Sequence, residues 1–352
     1  MHMKTIYLFA ITVIISFSCD RNSVIQGNFS FLVTGNVQGE LYPKKMRRGS
    51  LGGIARRSTF INEEKKNMNP IILDAGNLFA GDSSGVALIK SYNAMGYDAL
   101  NVGVEDLSIK NDLKKMKRLA NFPFISANII DKKSGKLAFK PYVIIERNGF
   151  KVGIVGLSNN RNINSDYTIN DPVVIGKKIL KTLARKTRYQ VVMFNGAYDQ
   201  SIQLQKELLE ADFIFVSGHK EIPRKTSVYD GGAFIYSVGE YGQSIVSTKI
   251  SIAHVDSSLK DISMLLEREK FIDETLDLLH GGSSVSVEKM YSGNYDMTQR
   301  IKQIKLELQS ARDELEKTVN SVEFDFIPLS DFIKDDEKIN SIINEENVEL
   351  NK

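Results

Sequence analysis

The 352 residues carry 46 Lys and Arg against 43 Asp and Glu, a formal net charge of only +3, and 42% of them are hydrophobic. This is the balance of a globular chain with an ordinary core, and no block of Lys or Arg changes it, which argues against nucleic acid as a partner. The single cysteine, Cys19, excludes an intrachain disulfide and a Cys-rich metal cluster.

At the N-terminus Lys4 precedes an apolar run through Ile6, Leu8, Phe9, Ile11, Val13, Ile14 and Ile15, and Ser16-Phe17-Ser18 leads to Cys19. A basic start, a short apolar stretch and small residues before a cysteine read as a secretory signal over 1–18, too short to span a bilayer comfortably. A cysteine in that place resembles a bacterial lipobox, with Ser16 and Phe17 departing from its usual branched and small residues. The resemblance implies a lipidated Cys19, a polar tether over 19–28 and a body held on the periplasmic or surface side of a bacterial envelope membrane. The alternative is a plain anchor helix or an uncleaved signal. No later stretch is apolar enough for a second membrane segment.

From Phe29 to about Ala253, short runs rich in Val, Ile and Phe alternate with helical periodicity. Strands are predicted at 29–34, 71–74, 99–102, 124–127, 142–146, 151–156, 191–194, 213–217, 233–237 and 247–252. Helices are predicted over 53–66, 84–95, 111–120, 174–185 and 201–210. That order predicts an α/β domain over 29–253 with ligand-binding loops at the carboxyl ends of its strands. The remainder, 254–352, is charged and helical in pattern. Ile301, Ile304, Leu308, Ala311 and Leu315 recur at 3-4-3-4 spacing, a coiled-coil-like seam. A second apolar helix over 264–279 precedes it, and Gly281-Gly282-Ser283-Ser284 breaks the two apart. The seam is expected to fold back as a helical hairpin or to meet an envelope protein partner.

Several loops and strands carry specific letters in order. They are Val33-Thr34-Gly35-Asn36-Val37-Gln38-Gly39, Gly52-Gly53-Ile54-Ala55-Arg56, Leu73-Asp74-Ala75-Gly76-Asn77-Leu78-Phe79 and Gly96-Tyr97-Asp98-Ala99-Leu100-Asn101-Val102-Gly103. Phe122 to Asn128, Gly149 to Leu157, Phe213 to His219 and Gly239-Glu240-Tyr241-Gly242 follow. In this order they resemble the N-terminal domain of bacterial 5′-nucleotidases, within the calcineurin-like metallophosphatase superfamily, over roughly 29–253. The resemblance implies a metallophosphatase-like sandwich of two mixed sheets flanked by helices, followed here by a helical C-terminal region. It also implies two divalent metals at the strand ends, held by carboxylates and imidazoles about 3.5–4 Å apart around a bridging hydroxide.

The metal positions depart from that pattern. Asn36 and Gln38 stand for the Asp and His of the first motif, and Asn77 for the bridging Asp. Val104 stands for a ligand Asn and Glu105 for the catalytic His. Asn195 lies where the family has a ligand His. His219 keeps the first imidazole of the final motif, and Glu221 stands for the second. Amides keep the shape of carboxylates without their charge. Glu105-Asp106 reads as a solvated or helix-capping loop. The expected protein is therefore a degenerate, non-catalytic lipoprotein acting as a binding or scaffold body, with no cofactor. The alternative, if active, is a phosphoric ester hydrolase with at most one divalent metal ion at His219 and Glu221. The family's nucleobase-binding C-terminal domain is not matched after 253, so nucleotide specificity is not implied.

Overall fold

The computed structural model describes residues 26–79, 85–159, 166–218 and 232–350. Cys19, His219 and Glu221 lie outside the described residues. In chain order the first strands are β1 (Gly27–Thr34), β2 (Pro43–Lys45), β3 (Ser50–Gly52), β4 (Ile71–Asp74), β5 (Ala99–Asn101), β6 (Phe124–Ile125), β7 (Ile129–Asp131) and β8 (Tyr142–Arg147). They are followed by β9 (Phe150–Ser158), β10 (Tyr167–Ile169), β11 (Tyr189–Asn195), β12 (Phe213–Ser217), β13 (Phe234–Ser237), β14 (Ser244–Ile252), β15 (Leu259–Asp261) and β16 (Asn320–Pro328). The helices are α1 (Ile54–Asn67), α2 (Gly85–Met95), α3 (Lys110–Leu119), α4 (Pro172–Leu183), α5 (Tyr198–Glu207), α6 (Ser263–His280), α7 (Val287–Met290), α8 (Tyr295–Glu316) and α9 (Glu337–Leu350). No helix among the described residues is long and apolar enough to cross a membrane.

Two mixed sheets form the frame, in the orders β15-β16-β14-β1-β4-β5-β6 and β13-β12-β11-β9-β8. Parallel pairing runs through β1, β4, β5 and β6 in the first and through β9, β11, β12 and β13 in the second, with antiparallel β14 and β8 beside them. Strands alternate their side chains between faces. Phe29, Phe31 and Val33 of β1 therefore meet Phe150, Val152, Ile154, Phe213 and Phe215 of the facing sheet in one cluster. Leu32, Ile72 and Leu100 point the other way, onto Ile54, Ile61, Leu88, Tyr92, Ile339 and Ile343 of α1, α2 and α9. Val155, Val192, Phe194 and Ile214 likewise meet Leu180, Leu183 and Leu204 of α4 and α5 and Leu208 just after α5. Burial on both faces is why these strands read as continuous apolar runs. The result is the expected sandwich of two mixed sheets between helices.

Local signals start and stop the helices. Asp171 caps α4 by accepting from the N–H groups of Val173 and Val174 at 2.8 and 2.9 Å, with Pro172 in its first turn. Gly281 ends α6 at φ 57°, a left-handed conformation that glycine adopts without strain.

The region 254–352 is mostly helical, but it is not only helical and it is not separate from the sheet. Asn320–Pro328 runs antiparallel to β14 over its full nine residues, and β15 pairs with it in turn. Val322 and Phe324 are buried while Glu323 and Asp325 point outward, the period-two alternation of a strand set among charged helices. The boundary expected at 253 thus cuts the larger sheet. The hairpin is present: α8 lies against α6, with Ile301, Leu308 and Ala311 buried and Ile304 and Leu315 half-buried.

Candidate functional site

Seven strands end on one side of the sandwich, and the loops that follow them close around a cavity of about 190 Å³. The loop after β1 turns at Asn36 (φ 49°) and Gln38 (φ 52°), and the loop after β4 at Asn77 (φ 61°). These are left-handed conformations that Asn tolerates better than most side chains and that Gln rarely adopts, so tertiary contacts must hold them. Those contacts are visible. Asn36 N–H donates to the Gly76 carbonyl at 2.8 Å, Gln38 N–H to Asn77 at 3.0 Å and Gly39 N–H to Leu78 at 2.9 Å, so the two loops run on side by side. Glycine is required at Gly103, where a Cβ would sit 2.3 Å from Asn77 Oδ1.

The structure brings Asn36, Gln38, Asn77, Val104, Glu105 and Asn195 around this cavity. The amides of Asn36, Asn77 and Asn195 are spent on the neighbouring loops. Asn36 Nδ2 donates to the Gly239 carbonyl after β13 at 2.7 Å, and its Oδ1 accepts from Gly218 N–H after β12 at 2.7 Å and from Asn77 Nδ2 at 3.3 Å. Asn77 Oδ1 accepts from Glu105 N–H at 3.2 Å. Asn195 Oδ1, at the end of β11, accepts from Val104 N–H at 2.8 Å, and its Nδ2 donates to Ser217 Oγ at 2.9 Å. Ser217 in turn donates to the Ala75 carbonyl at 2.6 Å. The amides thus staple together the loops following β1, β4, β5, β11, β12 and β13.

Asn159 and Glu240 also line the cavity. Asn159 follows β9 directly, so the rule that ligands meet strand carboxyl ends points to it. Glu240 sits inside Gly239-Glu240-Tyr241-Gly242, a motif recognised for its glycines and not for its carboxylate.

The pair Glu105-Asp106 opens a short helical turn and is solvated, as its charges suggest, at Glu105 but not at Asp106. Glu105 is exposed at the cavity, while Asp106 is fully buried and accepts three backbone N–H groups, from Asn77 at 3.0 Å, Phe79 at 2.9 Å and Gly103 at 2.8 Å. Burial pushes its carboxyl up to about 7, and the three N–H donors oppose that rise. Beneath the loops lies a second buried group. Asp74 accepts from Thr34 Oγ1 and Tyr92 OH, both at 2.7 Å, and Arg57 donates to Tyr92 OH at 2.9 Å and to the Gly242 carbonyl at 3.2 Å. Burial raises Asp74 above the usual carboxylate range, while Tyr92, Gly76, Thr34 and Arg57 pull it back.

The fold family implies a pair of divalent cations, and the described donor set does not fit them. The oxygens of Asn36, Asn77 and Asn195 already accept hydrogen bonds from protein N–H groups, and Val104 has no donor atom. Among the described residues the carboxylates lining the cavity are Glu105 and Glu240, and no three His, Cys, Asp or Glu side chains are grouped to hold a metal.

No family model matches the chain. The 5′-nucleotidase of Vibrio cholerae is 29% identical over 159 residues, covering 40% of this chain and 29% of that protein. The chain spans about a third of the length of the curated relatives it matches. The solved 5′-nucleotidase precursor of Thermus thermophilus superposes with a TM-score of 0.66 at 15% identity, over 92% of this chain and 59% of that one. The calcineurin-like phosphoesterase YfkN of Bacillus subtilis does so with a TM-score of 0.61 at 14% identity, over 92% and 98%. The motif order, the sequence relatives and the superpositions agree: the chain is a relative of bacterial 5′-nucleotidases built on the calcineurin-like metallophosphatase fold.

Proposed function

We propose that this chain is a non-catalytic envelope protein, lipidated at Cys19, that uses the metallophosphatase fold as a binding or scaffold body. The observation carrying this reading is the amide staple. A dimetal site needs carboxylates to offset the repulsion of two cations and imidazoles to complete their coordination. Here neutral amides stand at those positions, and their oxygens hold backbone N–H groups of neighbouring loops. Freeing them for a metal breaks those bonds and leaves buried donors unsatisfied, at about 1–3 kcal/mol each. The cavity retains two carboxylates among amides. It suits a small neutral or cationic ligand that exchanges hydrogen bonds, and it disfavours phosphate by charge.

The test is direct. The purified chain is assayed on nucleoside monophosphates and generic phosphate esters with manganese, zinc and magnesium, and its metal content is measured. Flat release and well under two metal equivalents per chain are expected. Brisk metal-dependent release, abolished by His219→Ala, would overturn this and establish a reduced-site phosphohydrolase. Metabolic labelling with a fatty-acid analogue is expected to mark the wild type and not Cys19→Ala; equal labelling of both rejects the anchor.

A further inference from the structure

We propose that the basic face at the end of the sandwich opposite the cavity docks on the anionic surface of the membrane to which the chain is anchored. The inference rests on the lipid-anchored reading above. Its first support is local charge. Lys177, Lys178, Lys181, Arg185, Lys186 and Arg188 stand within twelve residues that contain no Asp or Glu, a density that the net charge of +3 conceals. They occupy the last turns of α4 and the loop into β11. Lys177 pairs with Glu207 at 2.5 Å, whereas Arg185, Lys186 and Arg188 are exposed and make no ion pair among the described residues.

The second support is shape. Arg185, Lys186 and Arg188, with Lys151 from β9, rim a cleft of about 480 Å³ floored by Phe150, Tyr189 and Ile252. One carboxylate, Glu146, shares the rim, 4.0 Å from Lys151. Cations around a shallow concave floor suit a sheet of anionic headgroups, which meets many exposed charges at once.

The third support is where the chain begins its first strand. Gly27, at the start of β1, pairs with Ile252, and a Cβ on it would lie 3.6 Å from the Phe150 ring. Asn148 Nδ2 donates to the Asn28 carbonyl at 2.8 Å. The described chain therefore begins at the edge of the basic cleft. Seven residues lie between Cys19 and Gly27, and the eight Cα–Cα steps reach at most about 29 Å when extended and about 16 Å on average when flexible. An anchor on that tether lets this face reach the headgroups, and within about one Debye length of them exposed cations are attracted. β1 then runs about 26 Å, at roughly 3.3 Å per residue, from this face to the loop of Asn36. Docking would turn the candidate cavity away from the bilayer, open to whatever it binds.

The experiment separates the face from the anchor. The full chain, isolated from membranes, is equilibrated with equal areas of phosphatidylcholine vesicles and of vesicles carrying phosphatidylglycerol, and the two populations are separated by density. The anchor contributes equally to both, so the distribution ratio reads the face alone. At about fivefold per cation brought to the surface, the wild type is expected to favour the anionic vesicles by tenfold or more in 0.1 M salt. Arg185→Gln, Lys186→Gln and Arg188→Gln together are expected to bring the ratio close to one, as is 1 M salt. All three side chains are exposed, and an unchanged melting curve checks the fold. A wild-type ratio of one, or a triple variant that partitions like the wild type, overturns the proposal. So does a preference shown for soluble DNA in place of the vesicles, which would assign the face to a free polyanion. Binding to the neutral vesicles alone, with and without Cys19→Ala, reports on the anchor. If Cys19→Ala leaves that binding unchanged while the anionic preference persists, the anchor reading fails and the face stands.

Discussion

Asp106 shows how a single residue in this site can look ordinary in sequence and be unusual in place. Its three backbone N–H donors favour the charged form, and complete burial disfavours it more strongly, so its carboxyl is pushed up to about 7. In the unfolded chain an aspartate titrates near 3.9, so between about pH 4 and 7 the folded chain holds a proton that the unfolded chain has released. The stability this group contributes is therefore complete below about pH 4 and is lost as pH rises through about 7, by at most about 4 kcal/mol at 1.36 kcal/mol per unit. Asp106→Asn abolishes that titration and sets an amide N–H against a backbone donor, at about 1–3 kcal/mol. The variant is expected to be clearly less stable than the wild type in urea at pH 5, with a smaller gap at pH 8. Parallel profiles would show that Asp106 stays charged throughout. Asp212, whose burial pushes it up to about 6, is present in both chains and cancels in the comparison. The pairing of Asp106 with three loop amides could not be read from the chain, because burial and donor geometry are tertiary properties. Asn36, Gln38 and Asn77 were legible, since the glycines and strands flanking them keep a recognisable order.

At the scale of elements, the same rule separates what was legible from what was not. Strands buried on both faces announce themselves as apolar runs, so β1, β4, β9, β11 and β12 are plain in the sequence. β16 hides, because its alternation of Val322, Glu323, Phe324 and Asp325 lies between long charged helices and resembles them in composition. The hairpin of α6 and α8 was legible from its heptad-like spacing, and its packing is now specific. Ile272 of α6 and Ile301, Leu308 and Ala311 of α8 are buried, while Arg312 reaches Glu269 at 2.7 Å and Asp273 at 2.8 Å across the outside. Exposed pairs of this kind contribute about 0–1 kcal/mol, so the apolar seam carries the association. Leu308→Ala is expected to cost about 2–3 kcal/mol in urea denaturation. Phe271→Ser, on the outer face where the ring is 68% exposed, is expected to stay within about 0.5 kcal/mol. A reversed order of the two variants would mean that the outer face of α6, and not the seam, is the buried one.

At the scale of the molecule, the C-terminal segment decides whether the α/β body is an independent unit. β16 completes the larger sheet beside β14, and Phe324 stacks on Tyr236 of the other sheet with ring centroids 4.2 Å apart. α9 then crosses back over α1 and α2, where Ser58 Oγ donates to Asp336 at 2.6 Å and Lys90 pairs with Glu346. The same segment reaches the candidate site. Leu329 N–H donates to the Gln243 carbonyl at 2.9 Å, and a Cβ on Gly239 would lie 3.2 Å from the Phe326 ring, so the turn carrying Glu240 rests on β16. Val322, Phe324, Leu329, Ile339 and Ile343 are all buried. At about 1.5–3 kcal/mol each they contribute about 7–15 kcal/mol, as much as the roughly 5–15 kcal/mol that separates a whole folded domain from its unfolded state. A chain ending at 253, which the sequence pattern alone offers as a complete domain, is therefore expected to lack a cooperative melting transition. The full chain is expected to unfold in one transition followed equally by circular dichroism and tyrosine fluorescence. A truncated chain that melts cooperatively within a few degrees of the full one would mean that the strands before 253 hold the sandwich by themselves, and that β16 and α9 are only added to it.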